Sequence, residues 1–169
     1  MILIKTIIFF LIFTSCSLVG ILIAKTYKNR VNDLLEMKSA LNILETKINF
    51  TYEPIPEIFK EISESVEINV GNIFLKACTE MKNKTAGNAW TIALDLSETN
   101  MKAEDIDILK RLNKLLGKTD AEGQISEIKL IKSFLDKQIE KAIKEQEKNE
   151  KLFRTLGILT GFTIVIIFI

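Results

Sequence analysis

Apolar residues follow two unlike patterns along this chain. At both ends they run unbroken: Thr6 to Ala24 reads TIIFFLIFTSCSLVGILIA, and Leu156 to Ile169 reads LGILTGFTIVIIFI, with no charged side chain in either. Between them they recur at steps of three and four, the period of an amphipathic helix. A helix needs roughly 20 apolar residues to cross a hydrocarbon core of about 30 Å. The first run meets that length, with Ile2 to Ile4 in reserve. The second gives about 21 Å of helix at roughly 1.5 Å per residue, a short span that a locally thinned bilayer can accommodate. The pattern predicts transmembrane helices over 3–24 and 156–169 around one polar domain, 25–155.

That domain reads as all-α, a bundle of about six helices, with no convincing alternating strand. Leu34, Met37, Leu41, Leu44 and Ile48 form one stripe on a helix that grows directly out of the first span. The loop Glu53-Pro54-Ile55-Pro56 ends it, and Pro56 suits the start of a short helix bearing Ile58, Phe59 and Ile62. A third helix carries Val70, Ile73, Phe74, Ala77, Cys78 and Met81, and Asn83-Lys84-Thr85 breaks it. A fourth carries Ala89, Trp90, Ala93 and Leu94. Ser97-Glu98-Thr99-Asn100 is a capping-type cluster before a fifth, with Ile106, Leu109, Leu112, Leu115 and Leu116, ended by Gly117. Asp120 caps the last helix, whose stripe is Gln124, Ile128, Ile131, Leu135, Ile139 and Ile143. Its charged face, with Glu140 before Lys144 and Glu147 before Lys151, is that of a solvated helix. The first and last helices must enter one membrane together, so they should pack antiparallel.

Two alternatives for the first span carry less weight. A cleaved signal peptide would need a polar start after its cleavage site, but LVGILIA follows Ser15-Cys16-Ser17. Phe13-Thr14-Ser15-Cys16 weakly resembles a lipoprotein box, and the same apolar continuation argues against a flexible tether. Orientation follows the basic residues beside the spans. Lys25, Lys28 and Arg30 follow the first; Lys141, Lys144, Lys148, Lys151 and Arg154 precede the second; only Lys5 lies on the other side. The central domain is expected to be cytoplasmic.

Composition then removes function classes. The chain has no histidine, which takes away the commonest general base and metal ligand. Its two cysteines, Cys16 and Cys78, are too few and too far apart for a zinc site, and Cys78 reads as a small buried apolar residue. All 22 acidic residues and all but one of the 23 basic ones lie between the spans. A balanced domain without a basic stripe is a poor nucleic-acid binder. No catalytic, cofactor or metal residues are assigned, no small-molecule substrate is implied, and carboxylates such as Glu61, Glu64 and Glu67 read as helix surface.

Leu116-Gly117-Lys118-Thr119 imitates the end of a phosphate-binding loop, but Leu112 stands where its first glycine belongs and a helix precedes it. Trp90 reads as core. The turn with Leu116, Gly117, Thr119, Asp120 and Gln124 is the candidate interaction motif, beside the simpler reading that Gly117 and Asp120 only cap two helices.

The order of features resembles a known family. A span, a basic exit and an amphipathic helix lead to Thr51-Tyr52-Glu53-Pro54, Ala89-Trp90, the Leu-Gly-x-Thr-Asp-x-x-x-Gln segment at 116–124, and a Lys/Glu-rich helix entering a span at Leu156-Gly157. This is similar to stage III sporulation protein AB of endospore-forming firmicutes, over essentially the whole chain. The resemblance implies a non-enzymatic component of a channel complex between mother cell and forespore. It implies a helical domain like the cytoplasmic domain of the type II secretion platform protein F, in the mother-cell membrane around the forespore. It also implies neighbours: a cytoplasmic ATPase and a multi-span membrane protein. Cys16 and the short second span depart mildly from the family pattern. A membrane-bound helical regulator or sensor is the alternative function.

Overall fold

The computed structural model describes residues 2–51, 53–114, 116 and 121–168. Among them every regular element is helical: α1 Ile2–Phe50, α2 Ile55–Ser65, α3 Ile68–Glu80, α4 Ala86–Asp95, α5 Ala103–Lys110, a 3-10 turn Arg111–Lys114, and α6 Ala121–Phe168. The all-α bundle expected from the apolar spacing is what forms. α1 stops where its prolines require it. The Thr51 N–H and Oγ1 donate to the Lys47 carbonyl at 2.8 Å, and Pro54 follows as the N-cap of α2. Pro56 falls in the first turn of α2, where a helix has no use for its missing N–H.

The chain forms two compact units, residues 32–140 and residues 1–31 with 141–169. In the first, most of the predicted stripe positions are buried, with Ile48, Met81 and Ile106 only half-buried. Leu34, Met37, Leu41 and Leu44 of α1 are sealed from solvent, as are Ile58, Phe59, Ile62, Val70, Ile73, Phe74, Ala89, Trp90 and Ala93 of α2 to α4. Ile128, Ile131 and Leu135 do the same from α6. Here α1 and α6 run antiparallel, held by Lys38 to Asp136 and Lys132 to Glu45, each at 2.5 Å. The core centre is aromatic: Phe59, Phe74 and Trp90 meet with centroids 5.1–5.6 Å apart, in the tilted and edge-on contacts that aromatic quadrupoles favour. The later core is aliphatic, as the absence of aromatics between Trp90 and Phe134 requires.

Some details differ from the sequence expectation. Cys78 is only partly buried, its thiol donating to the Pro56 carbonyl at 3.4 Å. The fifth helix is shorter, because at Arg111 the chain tightens into the 3-10 turn. Ser97 to Asn100 do not cap it. Its N-cap is Lys102, whose N–H donates to Asp105 Oδ2 at 2.8 Å. The helix begins only at Ala103, so the cluster lies upstream of the cap position, with Asn100 held on Asp33. Gly117 and Asp120, expected to end one helix and cap the next, lie outside the described residues, as does Leu115.

In the second unit the end segments of α1 and α6 also pack antiparallel. Phe13 meets Phe162 edge-on, Tyr27 stacks on Phe153, and buried Arg30 binds Glu145 at 2.7 Å. Ile143 is exposed and Ala142 buried in its place. Repeated four-residue steps overrun the 3.6-residue turn, so the buried face shifts back by one position. Gly20 and Gly157 let the backbones touch. A Cβ on Gly157 would meet the Cys16 carbonyl at 3.0 Å and the Gly20 Cα at 3.1 Å. Overpacking a close contact typically costs about 1–3 kcal/mol. Gly157→Leu should therefore lower the melting midpoint of the full chain in mild detergent. A variant melting with the wild type would show that this approach does not hold the pair together. Among the described residues, one helix, α1, is long and apolar enough over Phe10–Phe50 to cross a membrane.

Candidate functional site

Of the five motif residues singled out in the sequence, the structure describes two. Leu116 is buried, its N–H donating to the Leu112 carbonyl at 3.1 Å. Gln124 lies half-buried in the first turn of α6. Gly117, Thr119 and Asp120 lie outside the described residues. Trp90 is core: its ring is fully buried and its Nε1 donates to the Leu109 carbonyl at 2.8 Å.

What the structure adds is a groove on the 32–140 unit, beside α3. It has a volume of about 590 Å³ and runs between α3, with Asn69, Asn72, Leu75 and Lys76, and the segment Leu96–Glu98. Its apolar floor faces solvent, with Leu75 about half exposed and Leu96 more so. Three contacts set the spacing of its walls. The Lys76 ammonium donates to the Leu96 carbonyl at 3.0 Å, straight across. Asn69 Nδ2 donates to Asp33 Oδ1 at 3.3 Å, fixing the α3 wall. The Asn100 N–H and Nδ2 donate to Asp33 Oδ2 at 2.8 and 3.0 Å, fixing the other wall.

Asp33 is thus a buried carboxylate with three amide donors, and both walls hang from it. Burying a charge is costly, and hydrogen bonds to the charged form offset that cost. Asp33→Ala would orphan these donors, at about 2 kcal/mol on the scale of bonds to charged groups. The expected result is a lower urea midpoint for fragment 25–154, with helicity retained in water. An unchanged midpoint would remove Asp33 as the tie.

Sequence reasoning missed this residue, yet its signal was present. Steps of three and four along α1 run 30, 33, 37, 40 and 44, which put Arg30 and Asp33 on the buried stripe; both are 3 % exposed. A charge at a stripe position needs a dedicated partner. The groove had a weaker signal: Ile68 and Leu75, seven residues apart on α3, fall off its buried stripe and are exposed.

Two lysines bind the short helices at the unit's edge. Lys47 reaches Glu61 at 2.5 Å and Glu53 at 3.5 Å, and Lys110 reaches Asp95 at 2.5 Å. Both hold their protons above the ordinary lysine value of 10.5, chiefly through the hydrogen bonds they donate to Glu61 and Asp95, against desolvation. A raised folded pKa makes this support complete below the ordinary lysine range and lost as pH rises through the raised values. On the alkaline side these pairs therefore weaken only at the extreme.

Comparison with known proteins agrees with this architecture. The family described as stage III sporulation protein AB matches residues 5–169. The chain is similar to stage III sporulation protein AB of Bacillus subtilis (strain 168), 27% identical over 153 residues, covering 88% of this chain and 89% of the relative. It also resembles a solved structure of a stage III sporulation protein AB, with a TM-score of 0.64 at 22% identity, over 71% of this chain and 98% of that one. At that identity the structural likeness speaks for the fold.

Proposed function

This chain belongs to the stage III sporulation protein AB family, and from that premise we propose that it is a membrane-anchored, non-enzymatic platform of a sporulation channel. One observation carries the reading: the two kinds of surface on its two units. The unit of residues 1–31 with 141–169 exposes Phe10, Leu11, Leu18, Leu22, Leu159 and Phe162. Water does not tolerate so large an apolar surface on a lone protein, whereas lipid does. The 32–140 unit is a closed bundle with a charged exterior and an open groove. The first suits anchoring and the second suits docking.

In this reading residues 3–24 and 156–169 hold the chain in the mother-cell membrane, and the lysines beside them keep 25–155 cytoplasmic. The domain works as the cytoplasmic domain of the secretion platform protein F does, by offering faces to a cytoplasmic ATPase and a multi-span membrane protein. The turn from Leu116 to Gln124 is one candidate face. The test is a pull-down of the full-length protein from detergent-solubilised sporulating cells, with mass spectrometry. An ATPase and other channel proteins should be recovered, and lost when the 116–124 turn is changed in a still-folded domain. Recovery of no channel protein, where a control pair survives the detergent, would replace this reading with the membrane-bound regulator.

A further inference from the structure

We propose that the groove between α3 and Leu96–Glu98 is a second docking site, and that its occupant is a basic amphipathic segment of a partner protein. This rests on the platform reading and names the chemistry of what one face receives.

The geometry points to a built recess. Its walls belong to different elements, and each is tied to the same buried carboxylate, Asp33, through Asn69 and Asn100. Lys76 bridges them directly. A groove fixed before binding spares its ligand the cost of ordering it. Its apolar offer is Leu75 and Leu96, with Ile68 further along the same face of α3. Such a strip takes aliphatic side chains one or two helical turns apart.

Charge selects the occupant. Glu80 and Glu98 line the groove, and Glu67 stands at the N-terminal end of α3. Lys76, the cation in the lining, has its ammonium on the Leu96 carbonyl, and Lys84 pairs with Glu80 at one end. Among the described residues Glu67 and Glu98 form no ion pair. An apolar strip with unpaired Glu98 in its lining and unpaired Glu67 at the head of α3 favours a ligand with lysine or arginine beside its aliphatic anchors, and repels acidic segments and anionic lipid.

The test is a photocrosslink in the full-length protein. Benzoylphenylalanine replaces the exposed Asn72 inside the groove, and Leu35 of α1 as a control position. After irradiation of membranes from sporulating cells, the cross-linked peptide is sequenced by mass spectrometry. The expected product at position 72 is a channel-protein peptide with lysine or arginine within one turn of a leucine, isoleucine or valine. Its yield should fall roughly tenfold with Glu67→Gln plus Glu98→Lys, substitutions on exposed side chains whose folding is checked by circular dichroism. A product joined to a second copy of this chain or to lipid overturns the proposal, as does a yield indifferent to the charge change. No product at position 72, while the pull-down still recovers channel proteins, overturns the groove and leaves the platform. A pull-down that recovers none overturns both.

Discussion

Trp90→Ala should take most of the stability out of the bundle. Deleting a buried tryptophan costs about 3–5 kcal/mol, against about 5–15 kcal/mol for a whole domain. Three losses add here. The indole is in aromatic contact with Phe59 and Phe74, at 5.6 and 5.1 Å. Its removal leaves a void in a fully buried site. The Leu109 carbonyl also loses its donor, the indole N–H at 2.8 Å. Trp90→Phe separates these effects, since it keeps a ring and loses the donor. It should cost about 1–3 kcal/mol, the range for an orphaned buried group. Urea unfolding of fragment 25–154, followed by far-ultraviolet circular dichroism because the lone tryptophan is gone, measures both. If Trp90→Ala shifts stability by less than Trp90→Phe is expected to, the aromatic centre does not hold α4 to its neighbours.

That residue also shows how far the sequence reads. Trp90 was legible as core because Ala89, Ala93 and Leu94 share its helical face, and all are buried. The stripes on α1, α2 and α3 were legible for the same reason: burial at a fixed period is a local property. Asp33 was not read, because its meaning depends on partners 36 and 67 residues away. The same distance hid the role of Asn100. As an isolated cluster, Ser97 to Asn100 carries capping chemistry, and only the folded chain shows Asn100 spent on α1. The groove was the least legible feature. Leu75 and Leu96 become one surface through a lysine-to-carbonyl bridge 20 residues apart, which no periodicity encodes. The family resemblance was legible because it rests on the order of many weak signals along one chain.

Gly87→Val should be nearly as damaging as the loss of Trp90, and for the opposite reason. Gly87 lies buried in the first turn of α4, against the 3-10 turn. A Cβ there would sit 1.9 Å from the Asn113 carbonyl oxygen and 2.8 Å from its carbon. Those atoms are backbone, so no rotamer relieves the overlap. The turn would have to move by more than an ångström. Two contacts stand to be lost with it: Asn113 Nδ2 to Thr91 Oγ1 at 3.2 Å, and Trp90 Nε1 to Leu109 just upstream. Backbone displacement in a packed core places valine at about 3–5 kcal/mol, the upper end for overpacking. Gly87→Ala is the sharper discriminator. By helix propensity alone alanine should stabilise α4 by about 1 kcal/mol, whereas the contact with Asn113 requires a net loss. A neutral or stabilising alanine in the same urea measurement would mean that the 3-10 turn yields freely. Leu116, bonded through its N–H to Leu112 in that turn, would then belong to a movable edge of the bundle, and a docking role for the 116–124 turn would have to work through that movement rather than through a fixed face.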